Sequence, residues 1–179
     1  MDRESVLKAT LEPGVPLVCV TGGEPLLQKE LPEFLEELIA KKTTVLLETG
    51  GSRNLSDVPE QVIKIVDVKT PGALMKDGYS GGEISQKFLK THFYYPNLDL
   101  LNPHDEIKFV VTSRADYDWT LEFIKTHQLS ERVGEILLSP SHGQVTPSEL
   151  VEWMQENSFP GRLNLQVHKY IWGLDVRGV

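Results

Sequence analysis

The distribution of apolar and polar positions along the chain predicts six strands separated mainly by helices. Short apolar runs and period-two alternation are typical of strands, and they occur at residues 17–20, 44–48, 61–69, 106–112, 135–138 and 162–168. Apolar residues at helical spacing predict helices at residues 3–11, 31–42, 117–127 and 147–154, with a further helix near residues 83–90. Because strands that alternate with helices are joined by right-handed crossovers, the pattern predicts an α/β fold with a largely parallel sheet.

Polar and glycine residues follow four of these six predicted strands. They lie at residues 21–24, 48–52, 67–70 and 139–143. Parallel sheets bind their ligands at the carboxyl ends of the strands. We therefore expect these segments to line one mouth of the sheet, with Asp67 and Lys69 on the same face because side chains alternate along a strand.

The sixth predicted strand has one polar side, formed by Asn164, Gln166 and His168. In a barrel of parallel strands the inward positions meet the lumen, so a polar inner side predicts a wet or ligand-filled centre. An edge strand whose polar side meets water fits the same alternation. Both interpretations place His168 at the end of a strand.

Residues 73–102 show no sustained period and are rich in glycine and proline, which predicts a long insertion or loop. Tyr79, Phe93, Tyr94 and Tyr95 lie in this region. They would either cover a ligand as an aromatic lid or pack the loop onto the domain, and packing is the more common role of aromatic residues in such a loop.

Length and composition predict one globular domain spanning residues 1–179. Apolar residues make up 40% of the chain and charged residues 25%, no apolar run has the length of a membrane span, and the first residues do not resemble a secretion signal. We therefore expect a cytoplasmic protein without a membrane partner. The formal charge of −8 also disfavours nucleic acid as a partner, because sequence-independent binding requires clustered Lys and Arg.

Cys19 is the only cysteine of the 179 residues. An internal disulfide is therefore excluded, and so is a zinc or cluster site built from several thiolates of these residues. Because Cys19 lies within the first apolar run, we expect it to be a small buried thiol.

The first strand leads into the segment Thr21-Gly22-Gly23-Glu24-Pro25. Gly22 and Gly23 permit backbone angles that other residues avoid, and Pro25 can open a helical turn. Exposed backbone amides in such a turn suit an anion or the polar end of a cofactor. A tight strand-to-helix connection needs the same residues, and spacing alone does not separate the two interpretations.

This segment resembles the Gly-Gly-Glu-Pro motif of radical S-adenosylmethionine enzymes, in which the glycine backbone receives the amino end of the methionine moiety. Further segments resemble the 7-carboxy-7-deazaguanine synthases of that superfamily, namely Glu48-Thr49-Gly50, Asp67-Val68-Lys69-Thr70-Pro71, Ser139-Pro140 and Leu165-Gln166-Val167-His168-Lys169-Tyr170-Ile171-Trp172-Gly173. The resemblance implies a partial, open parallel (βα) barrel. It also implies a carbon–nitrogen lyase that contracts the ring of 6-carboxytetrahydropterin with a 5′-deoxyadenosyl radical, on the route to queuosine and related 7-deazapurines.

The resemblance also implies roles for individual positions. Residues expected to bind S-adenosylmethionine are Gly22, Gly23, Glu24, Thr49, Asp67, Val68, Lys69, Ser139 and Pro140. Glu24 would also organise its turn. Residues expected to lie near the pterin substrate are Thr21, His168 and Lys169, and an ordinary hydrogen-bonded role for His168 stays open.

The chain departs from the family where the family's chemistry begins. The family holds a 4Fe-4S cluster with a Cys-x-x-x-Cys-x-x-Cys motif, followed by a threonine that binds Mg²⁺, and neither the motif nor the first βα unit is present in these residues. Two explanations fit: a form shortened at its N-terminus, which we favour, or a cluster-less relative that binds S-adenosylmethionine or a pterin without catalysis. A relative of the glycyl-radical activating enzymes is a third hypothesis, which the closing segment disfavours.

Without that unit the first strand would have an uncovered edge. We therefore expect a homodimer formed through this edge, or poor solubility. No metal ligand is expected among these residues, and the resemblance assigns no catalytic residue to them.

Overall fold

The computed structural model contains a six-stranded parallel sheet whose strands follow one another in chain order. The strands are β1 (Leu17–Val20), β2 (Thr44–Thr49), β3 (Ile63–Lys69), β4 (Glu106–Val111), β5 (Glu135–Pro140) and β6 (Arg162–Leu163). The structure describes residues 2–75 and 79–173, without the side chains of Gln86, His168 and Tyr170. The predicted fold class, α/β with a partial, open parallel barrel, is confirmed.

Helices connect most of the strands. They are α1 (Arg3–Leu11), α2 (Leu31–Ala40), α3 (Pro71–Leu74), α4 (Gln86–His92), α5 (Arg114–Thr126), α6 (Leu129–Arg132), α7 (Pro147–Glu156) and α8 (Val167–Trp172), with 3-10 helices at Pro25–Leu27 and Tyr95–Leu100. Helix α5 begins before residue 117, where the apolar period starts, because the Ser113 side chain caps it by accepting from the backbone N–H of Asp116. Within the described residues, no helix combines the length and the apolar character that crossing a bilayer requires.

The two faces of the sheet differ in chemistry. On one face, alternate strand residues are buried against the helices; they include Val45, Leu47, Val66, Ile107, Phe109 and Leu138. Leu35 of α2, Tyr117 of α5 and Leu150 of α7 cover them. The opposite face, called the polar face below, carries Cys19, Glu48, Asp67, Lys69, Lys108 and Ser139, as alternation along the strands and the register between them require. One face of the sheet thus packs in the hydrophobic core, and the other carries charged and polar side chains.

Strand β1 lies at the edge of the sheet and pairs only with β2. Its residues alternate between exposed and half-buried, with Leu17 52% exposed and Cys19 exposed. The expectation of a buried first strand with a buried Cys19 thiol was therefore wrong. An edge strand has a neighbour on one side only, so an apolar run there is not sufficient for burial.

Strand β6 ends at Leu163, so the predicted strand over residues 162–168 was wrong beyond that residue. The Asn164 backbone N–H still bonds to the Leu138 carbonyl at 2.7 Å, but β5 then reaches Pro140, which has no N–H to continue a ladder. The chain turns, and α8 starts at Val167. His168 is consequently a helical residue rather than part of a polar strand side, and its side chain lies outside the described residues.

The aromatic residues of the long connection pack onto the domain in two of the four cases. Phe93 is buried, and its ring meets that of Tyr95 edge-on with centroids 5.4 Å apart and that of Phe123 at 6.4 Å. Tyr94 remains 42% exposed. The packing interpretation is confirmed for Phe93 and Tyr95.

Candidate active site

The turn after β1 adopts a conformation that requires glycine. Gly22 has a φ of +98° and Gly23 a φ of +43°, both in the region that favours glycine over residues with a Cβ. The turn borders an open groove of about 550 Å³, between α1, the 3-10 helix and the start of α2. Thr21, Gly22, Gly23 and Glu24 all line this groove. A ligand in the groove would meet exposed backbone.

The carboxylate of Glu24 joins this turn to the end of β2. Its oxygens accept hydrogen bonds from the Thr49 hydroxyl at 2.8 and 2.9 Å, the Gly50 N–H at 3.1 Å and the Leu26 N–H at 3.2 Å. The Thr49 hydroxyl also accepts from the Gly51 N–H at 3.1 Å. Glu24 and Thr49 are thus engaged with each other and fix the positions of two glycine turns.

A second contact between the same strand ends lies on the polar face. The Thr21 hydroxyl donates to Oε2 of Glu48 at 3.3 Å, and Thr21 itself is exposed. Glu48 therefore lies beside the turn, and its Oε1 takes no part in this bond. The resemblance implies that the substrate lies near Thr21, in the same region.

Two lysines meet one carboxylate at the centre of the polar face. Lys69 Nζ lies 2.7 Å and Lys108 Nζ 3.5 Å from Oδ2 of Asp67, while Oδ1 of Asp67 is buried and has no hydrogen-bond partner among residues 2–75 and 79–173. The predicted shared face of Asp67 and Lys69 is confirmed. Lys108, in register with Asp67, was not identified as a site residue, although its place between Ile107 and Phe109 in an alternating strand was the signal.

Cys19 lies near the same charges. Although Cys19 is exposed at the edge of the sheet, partial desolvation of its thiol by the surrounding atoms, followed by the Glu48 carboxylate, raises the pKa of the thiol, and Lys108 acts in the opposite direction. Within residues 2–75 and 79–173, no group of three or more His, Cys, Asp and Glu side chains is arranged to hold a metal ion. These residues therefore do not fit a 4Fe-4S cluster.

The remaining expected site residues divide between the two faces. Val68 is buried on the helix side, so only its backbone can meet a ligand. Ser139 is 1% exposed on the polar face, and its Oγ has no hydrogen-bond partner in the described part of the chain. Pro140 ends β5 and borders a cavity of about 130 Å³ that Lys169 and Gln166 also line.

The structure thus brings Thr21, Asp67, Lys69 and Ser139 to the carboxyl ends of β1, β3 and β5, which alternate in the sheet, on one face. Lys169 lies with Pro140 at a separate cavity beside β5. Asp67 and Ser139 are the only two members of this set with a buried polar atom that lacks a partner among the described residues.

Curated relatives share most of the chain. A protein of Koribacter versatilis is 43% identical over 176 residues, covering 91% of this chain and 72% of the relative. Proteins of Chlorobaculum tepidum and Clostridium acetobutylicum are 36% and 33% identical, each over 100% of this chain and 76% of the relative. All three are named 7-carboxy-7-deazaguanine synthase. No family model matches the sequence.

Two solved structures share the fold. Streptococcus suis SuiB bound to S-adenosylmethionine superposes with a TM-score of 0.54 at 14% identity, and another SuiB structure with a TM-score of 0.56 at 10% identity. The superpositions cover 90% and 99% of this chain but only 40% and 47% of the SuiB chains. At these identities the similarity describes the arrangement of strands and helices.

Proposed function

Because this chain belongs to the 7-carboxy-7-deazaguanine synthase family, we propose that it binds S-adenosylmethionine at the carboxyl ends of its strands and serves the ring contraction of 6-carboxytetrahydropterin. The reaction is a radical carbon–nitrogen lyase reaction in 7-deazapurine biosynthesis. The proposal treats residues 1–179 as one radical S-adenosylmethionine-like domain of this family.

One observation carries the proposal: the turn at Gly22 and Gly23 borders an open groove of about 550 Å³, and Glu24 fixes this turn to the end of β2. Parallel sheets bind their ligands at the carboxyl ends of their strands, and exposed backbone in a glycine turn suits the polar end of a cofactor. S-adenosylmethionine offers an ammonium group and ribose hydroxyls, which suit a carboxylate oxygen and a serine hydroxyl. The SuiB structure with this fold is bound to S-adenosylmethionine.

Residues on the two walls would have distinct tasks. The backbone at Gly22 and Gly23 would receive the amino-acid end of the cofactor, with Glu24 holding the turn in place. Asp67 and Ser139 would bind hydroxyl or amino groups, and Thr21 and Lys169 would lie nearer the pterin. S-adenosylmethionine supplies the 5′-deoxyadenosyl group of the family's chemistry when an iron cluster reduces it.

These 179 residues do not supply that cluster, because they contain one cysteine. Three thiolates are needed for a site-held 4Fe-4S cluster of this family, and the described residues contain no group of three or more His, Cys, Asp or Glu side chains placed to hold a metal ion. We therefore propose that these residues alone bind ligands without turning them over. A cluster-less binding module for S-adenosylmethionine or a pterin is the second candidate function, favoured by this single cysteine.

The remaining parts of the proposal concern assembly and location. We propose a homodimer through the outer edge of β1, supported by the exposed Leu17 and the unpaired outer side of that strand. A cytoplasmic location without nucleic acid or membrane partners completes the proposal, supported by the charge of −8.

Titration calorimetry with S-adenosylmethionine tests the proposed function. The wild-type chain should bind it, and Asp67→Asn should raise Kd about tenfold, which corresponds to about 1.4 kcal/mol. Asp118→Asn is the matched control, because Asp118 is an exposed aspartate of α5 paired with Arg114, and it should keep the wild-type Kd. Absence of saturable binding to the wild type would contradict the proposal.

Reconstitution with iron and sulfide tests the part about the cluster. We expect no stoichiometric, site-held cluster and no cleavage of S-adenosylmethionine by these residues. A cluster of one per chain, read from absorbance and iron content, would contradict this part. Binding without cleavage fits both candidate functions, and release of a ring-contracted product after fusion of a cluster-bearing segment would favour the enzyme.

A further inference from the structure

A buried carboxylate from α5 holds the loop that follows β3. Asp116 is 0% exposed, and its oxygens accept four hydrogen bonds: from the Thr70 hydroxyl at 2.9 Å, the Gly72 N–H at 2.8 Å, the Thr112 N–H at 3.0 Å and the Thr112 hydroxyl at 2.5 Å. The Thr70 hydroxyl also donates to the Val110 carbonyl at 2.7 Å. One side chain thus ties the end of β3 to the end of β4.

The donors around Asp116 give both of its carboxylate oxygens hydrogen-bond partners. Hydrogen bonds to a carboxylate are among the stronger ones in proteins, and a buried carboxylate without them would be costly. Asp116 lies in the first turn of α5, a helix of 13 residues. Asparagine, the uncharged isostere of aspartate, would present an NH₂ group to these donors and would lose part of the four hydrogen bonds.

The loop sits directly against the carboxylate. A Cβ added at Gly72 would overlap the Thr112 hydroxyl and lie 2.6 Å from Oδ2 of Asp116. Glycine is therefore required here for close approach rather than for an unusual φ. The path of Thr70 and Gly72, and hence the direction in which the chain leaves Lys69, depends on this contact.

We propose that Asp116 is a positioning residue for ligand binding: by fixing Thr70 and Gly72, it holds Asp67 and Lys69 at the end of β3 in the arrangement on which binding of S-adenosylmethionine depends. Asp116 itself does not touch the ligand. The inference rests on the proposed function, because Asp116 would position residues of the S-adenosylmethionine site that the proposed function assigns.

Asp105 provides a matched control within the same fold. It is likewise a buried aspartate at 0% exposure, and it accepts from the backbone N–H groups of Lys64 at 2.8 Å and Asn102 at 2.9 Å and pairs with Lys64 Nζ at 3.0 Å. Asp105 precedes β4, whereas Asp116 follows it, so the two carboxylates lie at opposite ends of that strand. Loss of either should destabilise the fold, but only Asp116 should affect the site.

The test compares Asp116→Asn, Asp105→Asn and Gly72→Ala in the full chain. Denaturant unfolding gives stability, amide hydrogen exchange of residues 67–75 reports on the loop, and calorimetry gives Kd for S-adenosylmethionine under conditions where each variant is folded. We expect Asp116→Asn to increase exchange in the loop and to raise Kd about tenfold, while Asp105→Asn keeps the wild-type Kd. Gly72→Ala displaces the loop but retains the carboxylate, and it should raise Kd similarly, which keeps the test valid if Asp116→Asn does not fold.

The outcomes separate this inference from the function on which it rests. A wild-type chain that does not bind S-adenosylmethionine would overturn the proposed function and the inference together. A wild-type chain that binds, with Kd unchanged in Asp116→Asn and Gly72→Ala or raised equally in Asp105→Asn, would overturn the inference alone.

Discussion

Oε1 of Glu24 accepts a 2.8 Å hydrogen bond from the hydroxyl of Thr49, which lies 25 residues further along the chain. The bond joins the carboxyl ends of β1 and β2 directly, beyond the last rungs of their ladder. The acidic residue of the Gly-Gly-Glu-Pro motif therefore acts between strands. We expect the neighbouring backbone amides, rather than this carboxylate, to meet a ligand.

Replacement of Glu24 by glutamine should weaken this connection. The new NH₂ group would face donors such as the Gly50 N–H, so we expect a loss of about 1–3 kcal/mol in the free energy of unfolding. Glu30→Gln is the control, because Glu30 is exposed and its side chain makes no capping bond to α2. Urea unfolding of both variants measures the difference, and equal stabilities would contradict the role of Glu24.

Gly51 combines a left-handed backbone with a crowded position. Its φ is +68°, and an added Cβ would overlap the ring of Phe93 and lie 2.9 Å from Val66 Cγ1. Gly143 has a similar φ of +77° with nothing within 4 Å of an added Cβ. Both changes to alanine should cost about 1–2 kcal/mol for the backbone, and Gly51→Ala should cost about 1–3 kcal/mol more for overpacking. Thermal or urea unfolding of the two variants that gave equal losses would be inconsistent with this packing.

Alkylation of the single thiol should report the charges on the polar face. Burial and Glu48 raise the pKa of Cys19, so iodoacetamide should modify it more slowly at pH 8 in the folded than in the unfolded chain. Glu48→Gln should accelerate the reaction and Lys108→Gln should slow it. We expect each rate to change by about a few-fold, because a shift of one unit in the pKa changes the thiolate population by about tenfold at most. Rates that do not respond to either change would place Cys19 away from these two groups.

Because of His127, the free energy of unfolding should decrease in mild acid. Burial, followed by the nearby Arg132, lowers the pKa of His127 below its ordinary value of 6.5, while Asp99 acts in the opposite direction. The unfolded chain then binds a proton at a higher pH than the folded chain, so stability should fall as pH decreases from 6.5 toward the lowered pKa. The ring lies 4.4 Å from that of Phe123 and 5.5 Å from that of Tyr95, centroid to centroid, which explains the lost hydration. Urea unfolding at pH 7.5 and 5.5 should show a smaller acid loss in His127→Gln than in the wild type.

The edge of β1 should control association. Leu17→Lys introduces a charge on the exposed edge strand and should convert the proposed dimer to a monomer in sedimentation velocity at micromolar concentration. Leu27→Lys is the control, since Leu27 is 57% exposed but lies in a 3-10 helix. A monomeric wild type, or dissociation by both substitutions, would contradict association through β1.

The elements that sequence predicted best are those whose signal is local. The apolar runs of β2 to β5 are short and alternate, and this alternation gave both the sheet and the shared face of Asp67 and Lys69. Gly22 and Gly23 signalled their turn because only glycine adopts such angles readily. These features depend on residues close together in the sequence.

The features that sequence did not reveal depend on distant partners. Nothing near Asp116 distinguishes it from a solvated helix residue, because Thr70 lies 46 residues away. The length of β6 depends on where Pro140 ends β5, and the exposure of Cys19 depends on the position of β1 at the sheet edge. The uncovered edge of β1 was expected from the family resemblance, whereas the pattern of apolar residues alone does not indicate which strand lies at the edge of a sheet.

The sequential order of the strands has a consequence for how the chain acquires its fold. Each strand pairs with the one that precedes it, from β1 with β2 to β5 with β6. During synthesis, each new strand can therefore pair with a strand that the ribosome has already released. The sheet can grow by accretion from its first strand, in the direction of translation.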